Sequence, residues 1–246
     1  RRSYINENIT KTIDKKDALA VAKKYLCSET FEPELKRIFR KNSVGVTKGI
    51  PVHYLVQSDN AHRLADTLVS SLYSNNRLGC ARYTVLDLYN LSARSSDIRE
   101  LFRVCSGSTI IMNCCGLKCT NSDNCTADET IPDIIFDLIN AYKNEIHFIF
   151  TFSNDGPSLP DAVEEKLGAI TFVKLADDTV ENEDAHKYLR KLCREENTSC
   201  DKDLLSLCAK DTPYRASELM GMYDTWYSNV LKTKIYPQYS NFKNCL

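Results

Sequence analysis

Glycine is scarce in this chain: there are eight in 246 residues, and none lies between Gly49 and Gly79. Loops that wrap a phosphate in backbone N–H groups are built on closely spaced glycines. Gly-x-Gly-x-x-Gly is absent, which speaks against a dinucleotide site, and the missing Gly-x-Ser-x-Gly removes the nucleophile elbow of the hydrolases. A charge excess is missing too. The 32 basic and 33 acidic residues are interspersed and leave a net charge of −1, so there is no electrostatic footprint for nucleic acid. No apolar run approaches the ~20 residues of a membrane span. Arg1 and Arg2 are not followed by the apolar stretch of a signal peptide. A start without Met leads us to expect a piece of a longer protein.

Cysteine, by contrast, is plentiful. The 11 cysteines are odd in number and many sit inside apolar runs, such as Cys114 and Cys115 after Ile110-Ile111-Met112. That pattern fits reduced, mostly buried thiols in a cytoplasmic protein better than a secreted disulfide scaffold. Cys114, Cys115, Cys119 and Cys125 cluster, yet they lack the paired knuckles of structural zinc sites, so no metal is expected. Cys-x-x-Cys does not occur.

The apolar periodicity alternates between two kinds of segment. Strands are expected at 52–56, 83–88, 109–112, 147–152 and 169–175. Amphipathic helices are expected between them, at 61–73, around 98–102, at 131–142 and around 162–167. Two short helices are expected between Lys15 and Arg40, with a loop over 44–49. Strands separated by helices of this length imply βαβ units, hence a three-layer, doubly wound α/β domain on a mostly parallel five-stranded sheet. From Glu181 onward the strands cease and three helices are expected, the last running from Arg215 to Leu231. The expected boundaries are N-terminal helices and loop at 1–50, core at 51–178, helical lid at 179–239 and polar linker at 240–246. Aromatic residues from Trp226 to Tyr239 suit packing on the helical part or a docking surface.

Four segments in this order resemble the AAA+ ATPases. Pro51 to Val56 resembles the strand that leads into the phosphate loop, and Ser108 to Cys115 resembles the Walker B strand. His147 to Asn154 is similar to the sensor-1 strand with its terminal polar residue, and Tyr214 to Leu219 to the segment where a sensor-2 Arg opens a lid helix. The resemblance implies a sheet domain followed by a helical lid, and it covers most of the chain from about Glu29.

The catalytic residues of that family are missing. Where the phosphate loop belongs, Gln57 to Asp66 contains no glycine; Leu64 stands in the Lys position and Ala65 in that of the metal-binding hydroxyl. Asp59 and Asp66 would set negative charge beside a polyanion. The Walker B strand ends in Asn113, Cys114 and Cys115 rather than in carboxylates. Ser58, Asn60, Arg63, Asn154 and Arg215 are what remains of a vestigial nucleotide pocket. Each has a plainer reading: Asn154 caps a turn before Asp155-Gly156-Pro157, and Arg63 and Arg215 are solvated first-turn residues.

The resemblance therefore implies a catalytically inactive module, like the motif-less amino-terminal module of certain bacterial proteins with an intact AAA+ module later in the chain. Its partners would be other AAA+ modules, in the same chain or in a homo-oligomer, with no nucleic acid or membrane. ATP or ADP is not an expected cofactor. The alternative is a nucleotide-binding domain or weak ATPase with a non-standard phosphate loop.

Overall fold

A strand made of His147-Phe148-Ile149-Phe150-Thr151-Phe152 has bulky side chains on both faces, so it can be buried only where helices cover both sides of its sheet. That is its position in the computed structural model, which describes residues 10–13, 22–40, 50–91, 94–117, 131–155 and 158–243. The chain divides into two compact units. The first holds residues 1–22 and 30–177, the second 23–29 and 178–246.

In the first unit the elements are β1 (Thr10–Thr12), α1 (Phe31–Phe39), β2 (His53–Gln57), α2 (Ala61–Ser74), β3 (Arg82–Asp87), α3 (Ser95–Val104), β4 (Thr109–Asn113), α4 (Asp133–Tyr142), β5 (His147–Phe152), α5 (Leu159–Lys166) and β6 (Phe172–Ala176). The strands form one sheet in the order β1-β3-β4-β5-β2-β6. Every pairing is parallel except that of β1 with β3, where Lys11 faces Tyr83. The five expected parallel strands are thus present, and a sixth, antiparallel strand makes the sheet mixed. Thr10-Lys11-Thr12 escapes a periodicity reading because three polar residues on a sheet edge carry no apolar alternation.

Side-chain alternation divides the core into two layers. Phe148, Phe150 and Phe152 of β5 share a cluster with Ile98, Leu101 and Phe102 of α3, Ile135 and Ile139 of α4, and Leu159 and Val163 of α5. The Phe102 and Phe148 rings lie 5.9 Å apart, and Phe150 meets Phe172 edge-on at the same distance. On the opposite face the buried Tyr54 hydroxyl donates to Glu34 of α1 at 2.7 Å, while α2 packs on β2 and β5. Arg37 grips both Glu34 oxygens at 2.7 Å, so this buried carboxylate is paired as burial requires.

Several element bounds depart from expectation. Of the two helices expected between Lys15 and Arg40, the second is α1, while the described end of the first closes in a 3₁₀ turn at Lys24–Cys27; residues 14–21 and 41–49 lie outside the described residues. The fifth parallel strand starts at Phe172, because Ile170 donates its N–H to Leu167 and closes the preceding helix end in a turn. Pro160 at the start of α5 moves that helix forward to Leu159, since its missing N–H costs nothing in a first turn.

The second unit contains the 3₁₀ turn, β7 (Thr179–Val180), α6 (Asn182–Glu195), α7 (Lys202–Ser206), β8 (Tyr214–Arg215) and α8 (Ala216–Lys243). The two short strands pair antiparallel. Tyr188, Leu189 and Leu192 of α6, Leu204 of α7 and Leu219, Met220 and Tyr223 of α8 are buried. The last helix runs through the linker expected from Ser240 as far as Lys243; no glycine follows Gly221 to stop it. Among the described residues no helix is long and apolar enough to cross a membrane.

At the amino edge of the sheet two histidines take the place of backbone partners. The Val52 N–H donates to His147 Nδ1 at 3.0 Å, and the Phe148 N–H to His53 Nδ1 at 3.2 Å. His53 Nε2 lies 3.0 Å from the Lys143 carbonyl, which holds the ring in its Nε2–H tautomer. Burial lowers both pKa values to about 4. The rings are neutral in the folded state, while the unfolded chain protonates them below about 6.5. The unfolded state therefore binds more protons between pH 6.5 and 4, and stability falls as pH falls through that window. Urea unfolding between pH 7.5 and 5 should show stability flat above 7, then a decline steepening toward about 2.7 kcal/mol per pH unit for two sites. A flat profile down to pH 5 would mean that these rings are charged in the folded protein.

Candidate functional site

In an open parallel sheet, ligands bind beyond the carboxyl ends of the strands, where successive connections diverge. Here that place is the end of β2. The next strand in sequence, β3, lies beyond β5 and β4 on one side, and β6 flanks β2 on the other. The segments that follow β2, β4, β5 and β6 meet at this edge.

One carboxylate organises it. Asp177, directly after β6, anchors its N–H on the Gln57 carbonyl at 2.9 Å. Its Oδ2 accepts from the Ser58 hydroxyl at 3.3 Å and from Asn154 Nδ2 at 3.1 Å, joining the ends of β2, β5 and β6. Ser58 is buried; its N–H donates to the Phe152 carbonyl at 3.0 Å, and its Oγ accepts the Asn60 N–H at 3.2 Å. The Asn154 N–H donates in turn to Asp59 Oδ1 at 3.4 Å. Asp177 and Ser58 are both buried, so these bonds stand in place of hydration.

The end of β4 is closed in the same manner. Asn113 Oδ1 accepts the Cys115 N–H at 3.2 Å and the Thr151 hydroxyl at 3.3 Å, while its Nδ2 donates to Asp87. An amide in this position supplies no charge to a metal ion, and its oxygen already holds the neighbouring strand. Cys114 beside it is buried, and burial pushes its thiol pKa well up, away from metal-binding thiolate character. Among the described residues no three His, Cys, Asp or Glu side chains are grouped to hold a metal. Cys119 and Cys125 lie outside the described residues.

Of the five candidate pocket residues, the structure gathers Ser58, Asn60 and Asn154 around Asp177. Arg63 is exposed on the first turn of α2. Arg215 belongs to the second unit. It was expected to open a helix, but it is the last residue of β8, and the helix begins at Ala216. The cause is local: the Ala216 N–H donates to the Asp178 carbonyl at 2.9 Å, and the Val180–Tyr214 pairing keeps Arg215 extended. Its N–H is capped by Glu218 at 2.8 Å, half of a capping box, and its guanidinium reaches Thr179 Oγ1 at 3.3 Å.

Charge decides what the crevice can do. A like-charge pair 4 Å apart at an effective dielectric near 20 repels by about 4 kcal/mol. One hydrogen bond to a charged group contributes about 1.5–3 kcal/mol. A phosphate entering here would face Asp177 and Asp59, and would find the Ser58 hydroxyl and Asn154 amide already donated to them. Asp177 was missed by sequence reasoning because its partner Ser58 is 119 residues away. The only local signal is an acid placed directly after an apolar strand.

No protein-family model matches the chain, and no curated protein matches it in sequence. Comparison with solved structures aligns it with Rif2 in complex with the C-terminal domain of Rap1, at a TM-score of 0.46 and 12% identity, covering 79% of this chain and 69% of that one. Saccharomyces cerevisiae Rif2 aligns at 0.40 and 12%, covering 79% and 73%. Likeness at this level carries no inference, and the functional reading rests on the residues themselves.

Replacing Asp177 with Ala would leave the buried Ser58 hydroxyl and the half-buried Asn154 amide without this acceptor. Chemical denaturation should register a loss of about 1–3 kcal/mol in the first unit, with Asp177→Asn losing less because one carbonyl oxygen remains. An Asp177→Ala variant as stable as the parent would remove this carboxylate from its central role.

Proposed function

We propose that this chain is an AAA+-like module without a working nucleotide site, and that it acts through protein–protein contact as a scaffold or regulatory domain of a larger ATPase assembly. The observation that carries this reading is the carboxyl edge of the sheet, where Asp177, Ser58 and Asn154 bond to one another in the place a nucleotide phosphate would take.

Strand order supports the AAA+ part of the reading. The strand compared with the phosphate-loop strand, β2, has the sensor-1-like β5 on one side and the last parallel strand, β6, on the other. The Walker B-like β4 lies beyond β5. An interaction role draws support from α8, where the Tyr223 and Tyr227 rings stack at 5.8 Å and Trp226 lies 5.9 Å from Tyr223. Tyr223 is buried, whereas Tyr227 and Leu231 are exposed, so the stripe passes from core to surface along one helix. Aromatic residues are enriched in the cores of protein interfaces.

Two measurements test the proposal. In a thermal melt with millimolar ATP or ADP, with and without Mg²⁺, the melting temperature should stay within about 1 °C of the unliganded value. Saturation at a hundredfold Kd would add about 2.7 kcal/mol and raise the melt by several degrees; a Mg²⁺-dependent rise of that size overturns the inactive-module reading. Purification of the full-length protein from its source should retrieve a nucleotide-hydrolysing AAA+ protein in stoichiometric amount. Isolation as a monomer that neither carries an AAA+ module elsewhere in its chain nor retains such a protein overturns the assembly role.

A further inference from the structure

The last helix of the second unit outruns its own core. α8 spans Ala216–Lys243, yet Tyr223 is its last buried residue among the described side chains. From there the helix continues for roughly 30 Å at 1.5 Å per residue. Helices in proteins are held mainly by the packing of one face, and unpacked ones of this length are marginal in water. This stretch is also poor in helix formers: it contains Pro237 and the β-branched Thr225, Val230, Thr233 and Ile235. Its helical form therefore calls for a surface to pack on. Tyr227 and Leu231 follow Tyr223 at intervals of four residues, and Ile235 and Tyr239 continue that spacing in the sequence. Rows at this spacing are the ridges by which a helix fills a groove between others. The row is rooted in the core, because the Tyr227 ring stacks on Tyr223 at 5.8 Å and 9°. Beyond that root Tyr227 and Leu231 are 38% and 41% exposed.

Charge names the occupant. Every charged residue from Thr225 to Lys243 is a lysine: Lys232, Lys234 and Lys243. The nearest acid before them, Asp224, is already paired with Lys24 at 3.4 Å. We propose that α8 beyond Tyr223 is a docking helix for an acidic groove on a partner protein, with apolar walls taking Tyr227 and Leu231 and carboxylates at the rim meeting the lysines. This rests on the assembly role proposed above and specifies its surface. Charge of one sign on each side steers encounter and fixes register, while the aromatic row supplies the apolar centre of the interface. A groove suits the row better than a lipid surface does. Residues at intervals of four wind around a helix by about 40° per step. A flat membrane meets only part of such a row, whereas a groove encloses it.

The full-length protein, tagged and purified from its source together with its AAA+ partner, is compared with three double variants. Tyr227→Ala/Leu231→Ala and Lys232→Glu/Lys234→Glu should each lower the retained partner at least tenfold, while Lys232→Arg/Lys234→Arg keeps it. Raising NaCl from 0.1 to 1 M shortens the screening length from about 10 to 3 Å and should release the partner from the wild type. All variants should melt within about 2 °C of the wild type, since α8 has left the core by Tyr223; a larger fall makes these residues part of that core and overturns the proposal. Equal retention by the wild type and either the Ala or the Glu variant overturns this surface and leaves the assembly role standing. A wild type that retains no AAA+ protein overturns the proposal, and the assembly role as well unless its own chain carries such a module. Cosedimentation with phosphatidylserine vesicles that the Glu variant loses overturns it in favour of a membrane surface.

Discussion

Everything in the first unit is arranged around the burial of β5. A strand with phenylalanine at alternate positions on one face and His147, Ile149 and Thr151 on the other cannot be left at an edge or exposed on one side. Its backbone must be paired along both edges, by β4 and β2, and both faces must be roofed by helices. Once that is required, α3, α4 and α5 are bound to the phenylalanine face and α1 and α2 to the other. The remaining strands extend the sheet outward to the short, polar β1, whose brevity and lysine suit an edge.

The same strand sets the character of both rims. At its start His147 takes a backbone N–H, and the neighbouring His53 does likewise, so the amino rim is closed by neutral rings instead of by water. At its end Thr151 holds Asn113, while Asn154 just beyond it holds Asp177. A working phosphate site needs the carboxyl rim open, with donors aimed outward. Here the donors are aimed at one another. At this rim the Ser58 and Asn154 donors are taken up by Asp177.

How much of this could be read beforehand depends on distance along the chain. The parallel strands were legible because runs such as Ile110-Ile111-Met112 and Phe148-Ile149-Phe150 are apolar without interruption, a purely local signal. Asp177 was not, since its meaning comes from Ser58 and Asn154, which only the fold brings near. Likewise β1 and the two-residue β7 and β8 derive their pairing from tertiary context that a three-residue window does not carry. The likeness of Tyr214–Leu219 to a segment in which an Arg opens a helix puts Arg215 on α8, whereas the Ala216 N–H on the Asp178 carbonyl starts that helix one residue later.

The strand order also has a consequence for how the molecule is made. β2 pairs with no strand that precedes β5, and the Val52 and His147 partners are 95 residues apart. On a ribosome adding about 5–20 residues per second, β2 waits roughly 5 to 20 seconds for its first neighbour. Meanwhile β3 and β4 pair with each other, next to one another in sequence. The nascent chain thus carries Tyr54-Leu55-Val56 as an unclaimed strand with two open edges, a template for any other strand in reach. The β3–β4 pair can form before β2 has a neighbour, and β6, which borders only β2, can join the sheet only once β2 is in place. Truncation anywhere before residue 152 would therefore yield a chain whose most apolar edge is permanently exposed.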